Sequence, residues 1–252
     1  MLKGEEVNEH IKASDAWESV PFLINHGIMD KDDLVGLLSS KDYKMRKCAW
    51  KFATNMLDHK VIEKNELKDK KEFFVELLSS EDYKIRVDAW KIMPSLLHYV
   101  IIERNDIVAK KKYFLDMLNS EDYKIRLDTW EMMRSFSAEF CCTDLIYYGT
   151  VERSDLAEKK KYFLDMLSSK DHLFRKKVWR YVPYVVSYCM VMDKDDVVEK
   201  KKYFIELLSS EDYKIRLDAW EFVPGLLDCG VIEKDDFLDK KKYLFDLLSL
   251  KD

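Results

Sequence analysis

Two basic stretches of the chain contain the side chains best suited to bind an anionic ligand. The residues are Lys44, Lys47 and Lys51 in the first stretch and Lys170, His172, Lys176, Lys177 and Arg180 in the second. Ammonium and guanidinium groups donate charge-assisted hydrogen bonds to carboxylates and phosphates. The two stretches therefore predict a binding surface for a protein partner or for nucleic-acid phosphates. A basic face that is simply solvated fits the same residues.

Catalysis is not expected, because the residues that usually perform it form no recognisable pattern. The five histidines are scattered along the chain, and no HExxH, GxSxG or glycine-rich phosphate loop is present. The five cysteines are an odd number without a CxxC pair, which indicates reduced thiols rather than disulfides or a zinc site. We therefore predict no enzyme activity, no metal site and no cofactor.

Composition and charge narrow the class of protein. The formal net charge of −5 disfavours a general polyanion binder, which is expected to be strongly basic. No apolar run reaches the roughly 18 residues of a membrane span, and the start of the chain lacks the apolar stretch of a signal peptide. A cytoplasmic location is the default expectation. The chain has no Gln and many Lys, Glu and Asp, as in thermophilic proteins, although its 11 Met and 5 Cys do not follow that trend.

An internal repeat of about 40 residues dominates the sequence. The tryptophans recur at spacings of 33, 40, 40, 49 and 41 residues, and each of the four prolines lies four residues after one of them. These tryptophans are Trp17, Trp50, Trp90, Trp130, Trp179 and Trp220. Such self-similarity predicts stacked helical units, each in contact with its neighbours. The chain has only 6 Gly and 4 Pro, which favours helices over a turn-rich β protein.

Each unit is predicted to contain two helices. The Trp-bearing helix, called helix B, follows a Ser-Ser-Glu-Asp segment or a variant of it, and the Ser hydroxyl is expected to cap it. The predicted helices B cover about 8–26, 42–60, 82–101, 122–148, 171–190 and 212–229. The predicted helices A cover about 33–39, 66–78, 106–118, 155–167, 196–208 and 236–249. Their predicted N-caps are Asp32, Asn65, Asn105, Ser154, Asp195 and Asp235.

The Trp of helix B is expected at the edge of the apolar stripe, where it packs on the next unit. In five units an Arg precedes the Trp by four residues, a spacing that can place the guanidinium over the indole. These arginines are Arg46, Arg86, Arg126, Arg175 and Arg216. Each Pro removes the N–H that would bond the Trp carbonyl, so helix B is predicted to kink there. We assign the Trp and Arg rows to structure rather than to ligand binding.

The segment Ile215-Arg-Leu-Asp-Ala219 resembles the V-R-x-x-A signature in the second helix of HEAT repeats. Copies with and without substitutions extend this resemblance from about residue 8 over nearly the whole chain. The family often carries an Asp about six residues before the Arg, where this chain has Ser210 and its equivalents. The resemblance implies an all-α fold, a right-handed α–α superhelix of the HEAT/armadillo-like solenoid type, with helices B lining a concave surface.

The repeat pattern predicts about five to six two-helix repeats in one domain over residues 1–252. An N-terminal half-repeat is expected at about 8–40. The full repeats are expected at about 41–80, 81–120, 121–169, 170–210 and 211–252.

Three departures from the repeat are candidates for function. The sign of the charge alternates between helices B, with Lys177 and Arg180 in one and Asp218 in the next. This alternation fits a binding partner of patterned charge, and a face that is simply solvated is the alternative. An insertion of about nine residues near Cys141 is consistent with a binding loop, and sequence drift at a site that tolerates insertions is the alternative. The last helix A carries apolar residues and no polar outer face, and this pattern predicts self-association. In the Lys-rich turns of helices A, the aliphatic parts of the lysine side chains are interpreted as a cover for the apolar stripe.

The sequence thus favours a non-catalytic scaffold that binds a protein partner on the helix B surface. The alternative is a nucleic-acid-binding module that uses the local basic patches. HEAT-like alkylpurine DNA glycosylases are an example of such modules, and the resemblance to them concerns the fold only. No membrane contact is expected. A homo-oligomer formed through the C-terminal helix is a further expectation.

Overall fold

The computed structural model describes residues 17, 19–20, 22–24, 26–132, 145–146, 148–187 and 191–249. Regular structure in this part of the chain is helical throughout, with no strand, so the prediction of an all-α protein is confirmed. The chain divides into two compact units, Met1–Tyr113 and Phe114–Asp252. No helix among the described residues is long and apolar enough to cross a membrane.

The first unit contains long and short helices that alternate along the chain. Its helices are α1 (Lys31–Leu37), α2 (Tyr43–Asp58), α3 (Lys64–Asp69), α4 (Lys71–Leu77), α5 (Tyr83–His98) and α6 (Arg104–Val108), and α7 (Lys111–Leu118) crosses the boundary. The long helices α2 and α5 each carry a Trp and pack side by side. The core of this unit lies between them and the shorter helices α1 and α4.

The second unit repeats the same alternation of long and short helices. Its helices are α8 (Tyr123–Met132), α9 (Arg153–Ala157), α10 (Lys160–Met166), α11 (His172–Trp179), α12 (Val182–Ser187), α13 (Lys194–Val198), α14 (Lys201–Leu207), α15 (Tyr213–Asp228), a 3₁₀ helix (Lys234–Lys240) and α16 (Lys241–Leu248). The helices α11 and α12 together correspond to one predicted helix B. Residues 133–144 and 147 of the predicted third full helix B, which include Cys141 in the insertion, lie outside the described residues.

Most predicted helices A are each divided into two short helices, and their predicted N-caps are wrong. The first part starts after Glu63, Glu103, Glu152, Asp193 or Glu233, two residues before the predicted cap, and the cap of α1 is Asp30 rather than Asp32. At Glu63 the backbone N–H donates to the Glu66 carboxylate at 2.7 Å, and the Glu63 side chain accepts in return. This reciprocal capping box satisfies two N–H groups at the helix end, whereas an Asn65 cap would satisfy one, so the helix begins after Glu63.

The Asp of the Ser-Ser-Glu-Asp segment, not the Ser, caps helix B. The Asp212 carboxylate accepts the N–H groups of Lys214 at 2.9 Å and Ile215 at 3.2 Å. The Ser209 hydroxyl instead donates back to the Glu206 carbonyl, at the end of the preceding helix. The charged carboxylate is the stronger acceptor at a helix N-terminus. One segment therefore ends helix A with its Ser and begins helix B with its Asp.

Proline acts differently in different helices B. Pro94 and Pro224 lie inside the continuous helices α5 and α15. At Pro183 the helix is interrupted, since α11 ends at Trp179 and α12 resumes at Val182. The predicted disruption at proline is therefore a full break only in this fourth full helix B, and Pro21 lies outside the described residues.

The tryptophans form the centre of the core rather than its edge. Trp50, Trp90 and Trp179 are fully buried, and Trp130 is 1 % exposed. Four tryptophans donate an indole hydrogen bond to the carbonyl of the residue twelve positions earlier. These bonds are Trp50 to Leu38 at 3.0 Å, Trp90 to Leu78 at 3.1 Å, Trp179 to Leu167 at 3.1 Å and Trp220 to Leu208 at 3.2 Å. Each bond ties helix B to the end of the helix A before it.

Candidate functional site

The arginines of helices B form hydrogen bonds within the fold, and Arg46, Arg126 and Arg175 are buried while Arg86 and Arg216 are half-buried. Arg126 is 5 % exposed and donates through Nε and Nη2 to the Ser120 carbonyl, at 2.9 and 2.7 Å. Its Nη1 donates to the Tyr162 carbonyl at 3.2 Å and to the Asp165 carboxylate at 3.1 Å. A guanidinium bridges several acceptors at once because its five N–H groups form a rigid fork. Arg126 thus holds a loop and the following helix A together.

The same arginine contacts recur in other units. The ion pairs Arg46–Glu76 at 3.0 Å and Arg175–Glu206 at 2.9 Å match Arg126–Asp165. A carbonyl six residues earlier accepts from Arg86, Arg175 and Arg216. These groups serve the fold, and they are not free to contact a ligand.

The guanidinium groups lie over tyrosine rings. Arg46 is 4.4 Å from the centre of the Tyr43 ring, and Arg126 is 4.8 Å from that of Tyr123. The Tyr123 hydroxyl also donates to the Asp165 carboxylate at 3.0 Å, and this hydrogen bond, with burial, raises the pKa of Tyr123. Cation, ring and carboxylate therefore form one closed cluster.

Two residues of the predicted basic surface are paired with acids of the following helix B. Lys47 Nζ lies 2.7 Å from the Asp88 carboxylate, and Lys176 pairs with Asp218. The partners are 41 and 42 residues apart, one repeat along the chain. At these positions the opposite charges of neighbouring helices B therefore form ion pairs within the fold. Lys47 and Lys176 are therefore less available to a ligand than an unpaired lysine, and their binding role stays a prediction.

The Lys-rich turns form a second row of internal ion pairs. The pairs are Lys31–Glu66, Lys71–Asp106, Lys160–Asp196 and Lys201–Asp236, with separations of 2.7, 3.0, 2.9 and 2.6 Å. The hydrogen bond that Lys71 donates to the Asp106 carboxylate raises the pKa of Lys71, and the hydrogen bond from Lys160 to Asp196 raises the pKa of Lys160. One Lys of these turns therefore binds the capping-box acid of the next helix A, in addition to any covering of apolar surface.

A groove in the second unit retains unpaired basic side chains. It has a volume of ≈ 190 Å³ and is lined by Leu127, Glu131, Lys177, Arg180 and Tyr181. Lys177 and Arg180 are exposed, and neither has an ion-pair partner among the residues that the structure describes. Leu127 and Tyr181 are buried and give the groove an apolar floor. Arg180 and Tyr181 occupy the turn where the Pro183 helix is interrupted.

The other predicted binding residues do not converge on this groove. Lys170 and His172 are exposed beside the start of α11 and are not among its lining residues. Lys44 and Lys51 are exposed on α2, and the Lys51 ammonium lies 5.5 Å from the centre of the Phe52 ring. Sequence analysis missed Leu127 and Tyr181, whose apolar character marks them as core residues rather than as part of a site.

A larger cavity in the first unit is acidic, and some of its acids already have partners. It measures ≈ 520 Å³ and is lined by Tyr43, Glu76, Ser79, Ser80, Glu81, Asp82 and Ile85. Glu76 pairs with Arg46, and Asp82 caps α5. Across the described ranges, no group of three or more His, Cys, Asp or Glu side chains is placed to hold a metal ion. This cavity therefore supplies no further candidate chemistry.

The free cysteines are unremarkable in position. Cys48 and Cys229 are partly buried free thiols, and burial raises the pKa of Cys229, which favours its neutral form at neutral pH. Cys141, Cys142 and Cys189 lie outside the described residues.

The chain was compared with protein-family models and with curated proteins. No protein-family model matches the chain, and no curated protein matches it. The candidate site therefore depends on the geometry of the groove alone.

Proposed function

We propose that this chain is a non-catalytic helical scaffold whose helices B bind a protein partner at the groove of Lys177 and Arg180. The proposal includes a HEAT-like arrangement in which the helix pairs stack as a right-handed solenoid. Its support is the recurrence of the same contacts at intervals of one repeat: Trp to Leu carbonyl, Arg to acid, and Lys to acid. Repeats that contact only their neighbours are typical of solenoids.

The groove carries the functional part of the proposal. Other exposed lysines of the described helices B, such as Lys44 and Lys51, also have no ion-pair partner among the described residues. Lys177 and Arg180 differ from them because they line a groove beside the apolar surface of Leu127 and Tyr181. A site with an apolar floor and two basic donors fits a peptide that presents an apolar side chain next to a carboxylate. The partner is therefore expected to contribute an acidic–apolar segment.

The nucleic-acid alternative is less well supported by the same groups. A phosphate-binding surface needs several free cations along one track. Lys47 and Lys176 are neutralised by Asp88 and Asp218, and Glu131 lines the remaining groove. Glu131 lowers the positive potential of the groove for any anion, so the apolar surface of Leu127 and Tyr181 is what favours a peptide over a phosphate.

Charge reversal in the groove tests the proposal. The double variant Lys177→Glu/Arg180→Glu is compared with Lys91→Glu, which changes the exposed residue after Trp90 just as Arg180 follows Trp179. Affinity capture from the source cells, with and without nuclease, is quantified by mass spectrometry and repeated with the purified partner. We expect a nuclease-resistant protein whose affinity falls at least tenfold in the double variant and is unchanged in Lys91→Glu, since two charge-assisted contacts are lost.

Two results would count against the proposal. If nuclease removes every captured protein, the nucleic-acid alternative is favoured. If the double variant and Lys91→Glu bind the purified partner as tightly as the wild type does, the groove is not the binding site.

A further inference from the structure

The candidate groove lies where the ion pairing between successive helices B is replaced by other chemistry. In two other places a lysine three residues before the Trp of one helix B pairs with an acid two residues before the next Trp, as in Lys47–Asp88. At the corresponding positions of α8 and α11 stand Leu127 and Lys177. An apolar side chain thus replaces the donor, and an ammonium replaces the acceptor. The positive charge of Lys177 is therefore available to a ligand.

Three charged side chains line the groove, and none of them has an ion-pair or hydrogen-bond partner within the described ranges. They are Lys177, Arg180 and Glu131, all exposed. Lys177 and Arg180 are three residues apart, and Arg180 keeps helical backbone angles at the end of α11. Their Cβ atoms are therefore about 5–6 Å apart on one face, and both can donate to a single carboxylate. The Glu131 carboxylate offers acceptors alone and suits an N–H group.

The groove is small and has an apolar floor. Its volume of ≈ 190 Å³ lies below the roughly 300–1,000 Å³ of pockets that hold drug-sized ligands. Leu127 and Tyr181, which form the floor, are 6 % and 4 % exposed. The space therefore fits one apolar side chain beside a carboxylate rather than a length of chain.

An internal acidic–apolar pair of residues fits such a groove poorly. In an extended chain neighbouring side chains point to opposite faces, and those on one face are about 6–7 Å apart. In a helix, neighbouring side chains do not face each other either. The C-terminal residue of a protein instead carries a carboxylate, a side chain and an N–H group on a single Cα. One residue thus supplies a counterpart for each kind of group in the groove.

We propose that the groove binds the C-terminal residue of the partner, an apolar residue with a free carboxylate, which presupposes the protein binding proposed above. Lys177 and Arg180 donate to the terminal carboxylate, and the side chain packs on Leu127 and Tyr181. The N–H of the same residue donates to Glu131. Glu131 also disfavours a second acidic side chain at the end of the partner, because like charges repel.

Two matched peptide libraries test this assignment with the purified chain. Both contain short synthetic peptides with every position randomised, and they differ in a free C-terminal carboxylate against a C-terminal amide. Affinity selection with a mass-spectrometric readout identifies binders. Each binder is then resynthesised in both forms and titrated by calorimetry.

Two charge-reversal variants show whether binding uses the groove. Lys177→Glu/Arg180→Glu alters it directly. Lys124→Glu/Lys214→Glu makes the same change in net charge at two exposed lysines that do not line the groove, and it serves as the matched control. Far-UV circular dichroism confirms that both variants keep the helix content of the wild type.

We expect binders from the free-carboxylate library that end in an apolar residue. Their affinity should fall at least about tenfold on amidation and in Lys177→Glu/Arg180→Glu, since both changes remove the charge-assisted contacts. The control variant should bind them as the wild type does. Amidated peptides that bind equally well and still need Lys177 and Arg180 would overturn the C-terminal assignment and leave groove binding intact. So would free acids that end in polar residues. If no peptide of either library depends on the groove, the assignment and the proposed function both fail.

Discussion

The Trp50→Ala variant is expected to lose about 3–5 kcal/mol of unfolding free energy, as large aromatic truncations in well-packed cores do. Trp50 is fully buried, donates to the Leu38 carbonyl at 3.0 Å, and its ring lies 5.3 Å from that of Phe74. Truncation leaves a cavity between two helices A and an unsatisfied carbonyl at the end of α1. Both losses fall on contacts that join successive helix pairs.

Urea denaturation followed by circular dichroism measures this loss. Lys51→Ala is the matched control, since Lys51 is the next residue and is exposed. It is expected to change the unfolding free energy by no more than about 0.5 kcal/mol. Trp220→Ala should cost less than Trp50→Ala because Trp220 is only partly buried. Equal losses in Trp50→Ala and Lys51→Ala would show that the tryptophan row is not a packing element.

The Arg126→Ala variant is expected to lose about 2–4 kcal/mol of unfolding free energy, because the carbonyls of the half-buried residues Ser120 and Tyr162 lose their donor and each unsatisfied group costs about 1–3 kcal/mol. The ion pair with Asp165 contributes less, since that carboxylate side chain is 55 % exposed. We therefore expect Asp165→Asn to cost less than about 1 kcal/mol. The carbonyl contacts, and not the ion pair, should dominate.

Arg126→Lys separates geometry from charge. A lysine keeps the positive charge but has a single nitrogen, which does not span the Ser120 carbonyl and the Asp165 carboxylate at once. Its loss should be close to that of Arg126→Ala, and Lys124→Ala, which changes an exposed residue of the same helix, should be nearly neutral. Full stability of Arg126→Lys in urea denaturation would contradict the bridging role of the guanidinium.

Hydrophobic periodicity predicts the helical class and most helix positions well. The long helices α2, α5 and α15 lie within two or three residues of their predicted limits. Helix ends are predicted less well because several polar residues in one segment compete for the same N–H groups. At Ser209–Asp212 the carboxylate prevails, and at Glu63–Asn65 the reciprocal capping box does.

The division of helices A has no local sequence signal. The break in the second helix A falls at Lys70, and Lys is a good helix former. The fully buried Leu67 and Phe74 flank it, so tertiary packing rather than propensity decides the break.

Sequence analysis of a single helix does not show which of its basic side chains form ion pairs with the neighbouring helix. Lys47 and Asp88 each look solvent-facing on their own helix, yet they are one repeat apart and meet. Comparing charges at spacings of 41 or 42 residues finds this pair and Lys176–Asp218 directly. At a spacing of 41 residues Lys177 and Arg180 also correspond to acids, Asp218 and Glu221, so this comparison does not separate them from Lys176. The structure pairs Asp218 with Lys176.

Hydrogen exchange of the tryptophan indole N–H groups tests most directly whether this row packs the repeat or stacks a ligand. In ¹⁵N-labelled protein each indole gives its own NMR signal, assigned by single Trp→Phe replacement. Slow exchange is predicted for Trp50, Trp90 and Trp179, which are buried and hydrogen-bonded, and the fastest exchange for Trp17. Exchange of all three buried indoles as fast as that of Trp17 would contradict the packing role.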